Sequence, residues 1–328
     1  MVNAFVFGKF LPFHLGHKAL IDFALEKCDN LTVLVCCSDR EKIPCELRKS
    51  WIATTFEGHE RLTVKAFNYL ESDLPNTSES SKEVSSVWAA IFKNLVPKCS
   101  LLVTSEKYGT YVAEFMNIQH ITFDIGRQYV PISATAVRQN PIANWKFLPD
   151  SVKPHFALKV VILGTESTGK SMLTDKLSQY FKCNKVTETG RELIPNSNKF
   201  DFEDLNRVAK AHAYRISKSV LSHSPLTIID TDIHITSSYA RFIFNRELKV
   251  APDIYAANKA SLYLYLSGSI DYTQDGTRLS ETERNKLDAS HRQVLKDHHI
   301  HFIEIDGDWQ ERFDKSLLQI KMLIAGKN

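Results

Sequence analysis

The chain has 328 residues, more than one compact core usually holds, and this length points to two domains. A 43% hydrophobic content with 12 Gly and 11 Pro provides apolar material for buried sheets and excludes a disordered chain. The formal net charge of +3 is spread over interleaved acids and bases with no basic arm, so nucleic-acid binding is not expected.

Ala4 to Phe7 and Leu31 to Cys36 read as short buried strands, and Lys18 to Cys28 between them carries the apolar spacing of a helix at Ala19, Leu20, Phe23 and Ala24. Gly8 to His17 joins the first strand to this helix as a G-x-x-x-x-x-H-x-G-H segment. Two imidazoles at a helix start can donate to phosphate oxygens, with Gly16 leaving room for a nucleotide. A His pair alone is more often structural, and no third ligand at a recognised spacing supports zinc. The N-terminus lacks the features of a signal peptide and no apolar run is long enough to cross a membrane, so a soluble cytoplasmic protein is expected. Its six cysteines, Cys28, Cys36, Cys37, Cys45, Cys99 and Cys183, lack C-x-x-C spacing and are expected to be reduced.

Glu71 to Ser86, rich in Ser, Asn, Pro and acids, reads as a loop at the mouth of the sheet. Trp88 beyond it either stacks on a ligand ring or packs in the core. Strands are expected at Leu101 to Thr104 and Ile121 to Phe123, completing a parallel α/β sheet. Ile132 to Arg138 then supplies a hydroxyl cap and a helical turn. Ser133, Thr135 and Arg138 can bind the β- and γ-phosphates of a nucleotide while Lys9, His14 and His17 address its α-phosphate.

Gln139-Asn140-Pro141, Pro149 and Pro154 break the pattern, so the domains are expected to span residues 1–150 and 157–328. Alternation then restarts with a strand at Val160 to Leu163 and helices at Lys170 to Phe181 and Phe202 to Leu221. Strands at Leu226 to Ile229 and Leu262 to Leu266, a helix at Glu281 to Lys296, a strand at His301 to Ile305 and a terminal helix complete a second α/β domain.

The first of these strands runs into Gly164-Thr165-Glu166-Ser167-Thr168-Gly169-Lys170-Ser171, which satisfies G-x-x-x-x-G-K-[ST] at each fixed position. Its N–H groups can cradle a polyphosphate, Lys170 can reach the outer phosphates and Ser171 can ligate Mg²⁺. Asp230 and Asp232 end a hydrophobic strand, and alternation places both on one side of an extended chain. One can serve the metal through water and the other can take a hydroxyl proton; the residues alone do not apportion the roles, and both can equally be solvated acids at a strand end. Glu188 can accept from sugar hydroxyls and Arg191 can hold a phosphate, or the two form a charged turn. Asp275-Gly276-Thr277-Arg278, with Arg284 beyond it, reads as a lid whose cations close over phosphates, with a surface pair between Arg278 and Glu281 as the alternative.

In chain order these segments resemble the bifunctional nicotinamide-nucleotide adenylyltransferase / ribosylnicotinamide kinase family, the NadR type. The resemblance is carried by G-K-F-x-P-x-H-x-G-H at Gly8 to His17, V-C-x-S-D ending at Asp39, Arg48 with Trp51, I-S-A-T-x-x-R at Ile132 to Arg138 and Trp145 to Pro149. It continues through the P-loop with Glu166 and Ser167, E-x-G-R-E at Glu188 to Glu192, I-D-T-D at Ile229 to Asp232 and D-G-x-R at Asp275 to Arg278.

The family implies a Rossmann-like nucleotidyltransferase fused to a P-loop kinase. The kinase half uses ATP to phosphorylate ribosylnicotinamide to nicotinamide mononucleotide (NMN). The other half joins NMN to AMP, giving NAD and pyrophosphate, and both steps use Mg²⁺. It implies catalytic roles for Lys9, His14, His17, Lys170, Asp230 and Arg278, with Ser171 and Asp230 at the metal. Nucleotide contacts fall to Gly8, Phe10, Gly16, Ser133, Thr135, Arg138, Gly164, Glu166, Ser167, Thr168, Gly169, Lys170, Ser171 and Arg284, and substrate contacts to Arg48, Trp88, Glu188, Arg191, Asp232 and Asp275. Two departures stand out. The first strand begins too early for the N-terminal helix-turn-helix of some members, so DNA regulation is not expected. In the loop that carries tryptophans in relatives, Leu74 to Ser78 keeps a Pro-Asn pair but the nearest aromatic is Trp88.

Alternatives that keep the fold are another phosphorylated acceptor, or one half retained as an ATP- or NAD-sensing module. The lysine-rich second signature of class I aminoacyl-tRNA synthetases is missing. A homo-oligomer is compatible with the sequence.

Overall fold

The computed structural model describes residues 1–74, 81–194, 200–267 and 280–326, and the chain divides into two compact units, Met1–Lys153 and Pro154–Asn328.

The first unit runs β1 (Asn3–Gly8), α1 (Leu15–Glu26), β2 (Asn30–Ser38), α2 (Cys45–Thr55), β3 (Leu62–Tyr69), α3 (Lys82–Leu95), β4 (Leu101–Thr104), α4 (Tyr108–Met116), β5 (Gln119–Thr122) and α5 (Ala134–Gln139). Its sheet is parallel, ordered β3-β2-β1-β4-β5, with Phe5 opposite Thr32 on one side and Leu102 on the other. β1 is where the strand order reverses, and ligands of such sheets bind beyond the carboxyl end at that point. The core sets Phe5, Leu34 and Leu102 of the sheet against Phe92, Val112 and Ala113 of α3 and α4.

Short α6 (Lys153–Phe156) leads to the second unit: β6 (Leu158–Leu163), α7 (Lys170–Phe181), β7 (Asn184–Val186), α8 (Gly190–Leu193), α9 (Phe202–Ser219), β8 (Leu226–Asp230), α10 (Ile233–Phe244), α11 (Pro252–Asn258), β9 (Leu262–Leu266), α12 (Glu281–Asp297), β10 (Ile303–Ile305) and α13 (Trp309–Ala325). This sheet is also parallel, ordered β10-β9-β6-β8-β7, with β6 at its centre. Val161, Leu163, Ile229 and Tyr265 form its core with Ile216 and Leu295.

Two expectations are corrected. The loop read through Ser86 ends earlier, because Ser81 caps α3 by accepting the Val84 N–H at 3.4 Å. The Ser- and Glu-rich composition concealed that helix start. The cysteines are not all reduced: Cys37, in β2, and Cys45, the first residue of α2, form a disulfide with Cα atoms 5.7 Å apart. The turn from strand to helix closes an eight-residue separation that carries no linear signature. Cys28, Cys36, Cys99 and Cys183 are free.

Phe92 is fully buried and its ring meets those of Phe5 at 5.6 Å, Phe7 at 4.4 Å and Trp88 at 5.5 Å. Phe92→Ala is expected to destabilise the first unit by about 3–5 kcal/mol, read from its denaturant-unfolding midpoint.

Candidate active sites

In the first unit β1 ends at Gly8, and α1 begins at Leu15 with His14 as its N-cap. His14 Nδ1 accepts the N–H groups of Gly16 at 3.1 Å and His17 at 3.3 Å. The cap leaves the proton on Nε2, so the neutral ring presents a donor. A Cβ on Gly16 would lie 3.0 Å from His14 Cε1, so Gly16 is what lets the imidazole fold back over the helix start.

His17 stacks on His14 with centroids 3.7 Å apart, and Phe10 meets it edge-on at 5.0 Å. Burial, then Arg127, lowers the His14 pKa to about 4. Burial, then His14 and Arg127, holds His17 well below its usual 6.5. Both rings are therefore neutral near pH 7, and buried His17 Nδ1 has no hydrogen-bond partner among the described residues.

A cavity of about 630 Å³ opens over this turn. Gly8, Lys9, Phe10, His14, Gly16 and His17 line it from the β1–α1 connection, together with Ser133, Thr135 and Arg138 from α5 and its cap. Ser133 caps α5 by accepting the Ala136 N–H at 3.1 Å, while Arg138 donates to Thr135 Oγ1 at 2.9 Å and to Leu11 O at 2.5 Å. The last bond ties α5 to the β1–α1 turn. Half-buried Trp88 lines the cavity and packs edge-on against Tyr69 at 5.2 Å.

Arg48 departs from its expected place among the substrate contacts. At 1% exposure it donates to Lys9 O at 2.9 Å and pairs with Glu41 at 2.8 Å, and Glu41 also holds Lys9 Nζ at 3.3 Å. The first turn of α2 draws this guanidinium under the loop, so it positions Lys9 from beneath.

In the second unit β6 delivers the chain to Gly164, and α7 starts at Lys170. Gly169 has φ +88°, a conformation glycine adopts without strain, and a Cβ there would run into the Trp309 ring. Thr165 O accepts from Thr168 Oγ1 at 2.9 Å and Lys170 Nζ at 2.8 Å, and Glu166 accepts from Tyr239 at 3.1 Å.

Ser171 donates to Asp230 Oδ2 at 2.6 Å, while buried Asp230 Oδ1 has no hydrogen-bond partner among the described residues. Burial raises the Asp230 pKa against the opposing pull of Lys170 and Ser171. A hydroxyl beside a carboxylate with a spare buried oxygen suits a hard cation such as Mg²⁺.

The two aspartates do not share one side of an extended chain. Thr231 has φ +64°, turning the backbone so that Asp232 becomes the N-cap of α10. Asp232 accepts from His234 N at 3.0 Å and Ile235 N at 3.3 Å and pairs with His234 Nδ1 at 2.6 Å. It is 1% exposed, and its oxygens serve α10 and His234. Glu188 and Arg191 pair with each other at 2.7 Å, and Arg284 is buried in α12. Asp275 and Arg278 lie outside the described residues.

Comparison with known proteins matches both halves to separate families. Residues 5–140 match a cytidylyltransferase-like family and residues 159–312 an AAA domain family. The trifunctional NAD biosynthesis/regulator protein NadR of Escherichia coli (strain K12) is 27% identical over 335 residues, covering 94% of this chain and 80% of that protein. Its counterpart in Salmonella typhimurium is 25% identical over 340 residues, covering 98% and 83%. Over nearly its whole length the chain is similar to these NadR proteins. A crystal structure of NadR with NR shares the fold at TM-score 0.74 and 21% identity, covering 99% of this chain and 97% of that one. A second, of NadR with NAD and AMP-PNP, gives 0.72 at 20%, covering 99% and 96%.

Beyond the motifs read from the sequence, the structure brings in residues that sequence reading missed. Arg127 lines the first cavity and pairs with Glu106 at 3.2 Å. It sits on a turn that Asp124 closes by accepting the Gln128, Tyr129 and Val130 N–H groups, so Asp-Ile-Gly-Arg was the available signal. Buried His212 joins the E-x-G-R-E turn to the end of β8, bonding Thr189 Oγ1 at 2.9 Å and Thr231 O at 3.2 Å. Arg312, fully buried in α13, donates to Thr168 O.

Because the folded pKa of His14 lies below its unfolded value, its stabilising contribution is complete above about pH 6.5 and lost as pH falls toward about 4. His17 acts in the same direction. The urea midpoint of the first unit is expected to fall across that window, and less so in His14→Asn, which retains a cap but cannot titrate.

Proposed function

We propose that this chain makes NAD in two ATP-dependent steps, with residues 157–328 phosphorylating ribosylnicotinamide and residues 1–150 adenylylating the product, NMN. The observation that carries this reading is a strand-to-helix anion cradle in each unit, one capped by His14 and the other a complete P-loop.

In the kinase step the 5′-hydroxyl of ribosylnicotinamide attacks the γ-phosphorus of ATP, ADP leaves, and the hydroxyl proton passes to an oxygen of the transferred phosphate. No covalent enzyme intermediate is needed, so placement and charge stabilisation carry the reaction. The P-loop N–H groups and Lys170 hold the phosphates, Glu188 meets ribose hydroxyls, and Arg191, Arg278 and Arg284 offset phosphate charge. Ser171 and Asp230 are assigned to Mg²⁺, which when bound neutralises charge on the phosphate oxygens. The Ser171–Asp230 bond supports a metal role for Asp230, and the helix cap supports a positioning role for Asp232.

In the transferase step a phosphate oxygen of NMN attacks the α-phosphorus of ATP and pyrophosphate leaves. His14 donates through Nε2, and His17, likewise neutral, stabilises the charge that accumulates on the α-phosphate oxygens. Lys9 joins them at the α-phosphate, Arg138, Ser133 and Thr135 bind the departing phosphates, Arg127 adds a cation at the same cavity, and Trp88 supplies a ring edge for the pyridine. Among the described residues no helix is long and apolar enough to cross a membrane.

The kinase releases ADP and the transferase releases pyrophosphate, so the products separate the two activities. Lys170→Ala is expected to lower ADP release from ATP and ribosylnicotinamide by about a hundredfold or more while leaving pyrophosphate release from ATP and NMN intact. His17→Ala is expected to do the reverse. If the native protein gives neither NMN nor NAD from ATP, Mg²⁺ and ribosylnicotinamide, the reading is wrong.

A further inference from the structure

The P-loop does not hold its shape alone. Its Thr168–Gly169 peptide is planar, so fixing the Thr168 carbonyl on one side turns the Gly169 N–H to the other. The carbonyl is fixed by Arg312 Nη1 at 3.0 Å. The same guanidinium donates through Nε to Gly307 O at 2.8 Å and through Nη2 to Ser267 O at 2.9 Å.

Ser267 directly follows β9, and Gly307 lies just beyond β10. The sheet order runs β10-β9-β6, so one side chain ties together the carboxyl ends of three adjacent strands. Lysine cannot reproduce this fork, because its ammonium is a single point donor. Three residues earlier on α13, Trp309 packs over Gly169. The guanidinium is fully buried, so its charge is poorly screened where a polyphosphate binds.

We propose that Arg312 is a positioning residue for ATP in the kinase reaction, holding the Thr168–Gly169 peptide with its N–H turned toward the phosphates. This assignment rests on the kinase reading above and adds to it a residue remote in sequence from every nucleotide-binding motif. Arg312 touches no reacting atom; it sets the geometry of the cradle that does.

The test compares full-length Arg312→Lys with the native protein, reading ADP release from ATP and ribosylnicotinamide, pyrophosphate release from ATP and NMN, and the thermal unfolding transitions. Expected is a KM for ATP in the kinase reaction raised about tenfold or more, with the KM for ribosylnicotinamide and the transferase kinetics unchanged and both unfolding transitions retained. Arg312→Gln, which keeps one amide donor and no charge, is expected to raise the KM for ATP further. A KM for ATP within about twofold of native in Arg312→Lys overturns the proposal. Loss of ADP release together with the second unit's unfolding transition also overturns it, because Arg312 is then a folding residue only. A native protein that releases no ADP overturns the kinase reading itself.

Discussion

Each site in this chain depends on backbone N–H groups that a helix leaves unpaired at its first turn, set at the carboxyl end of a parallel strand. The two units use that partial positive charge differently. In the P-loop, Lys170 and Arg312 take the carbonyls of Thr165 and Thr168, which turns the opposite N–H groups outward as donors. At α1 the first-turn N–H groups of Gly16 and His17 are taken up by His14 Nδ1. There the polarity of the helix start is passed through the imidazole to Nε2, so the side chain donates where the backbone does in the other unit.

Both arrangements are costly to bury and therefore well determined. Buried Arg48 pairs with Glu41 under the first site, with exposed Lys9 at their edge, and buried Asp230 accepts from the Ser171 hydroxyl beside the second. A buried charge without partners costs several kcal/mol, so these groups hold one another in place before any ligand arrives. The burial that keeps His14 neutral also makes its N–H a donor whose strength is undiminished by water.

What the sequence revealed and what it concealed follow from the range of the interactions. The P-loop, the H-x-G-H turn and most strands are local patterns, and Lys170 to Phe181 was readable to the residue because a glycine and a capping turn bound it. Asp232 was misplaced because Thr231 leaves the extended region, which alternation cannot foresee. Arg48, expected among the substrate contacts, is instead held by Glu41 and the Lys9 carbonyl, partners that no local pattern joins to it. The Cys37–Cys45 pair and Arg312 are contacts between segments that only the folded sheet brings together. Arg312 is 144 residues from the carbonyl it holds, and no spacing rule reaches that far.

The central claim is that each unit contains its own polyphosphate site, and calorimetric titration of the full-length protein with a non-hydrolysable ATP analogue and Mg²⁺ tests it most directly. Two bound equivalents per chain are expected, one lost in Lys170→Ala and the other in His17→Ala. A single equivalent that survives both substitutions would contradict the claim.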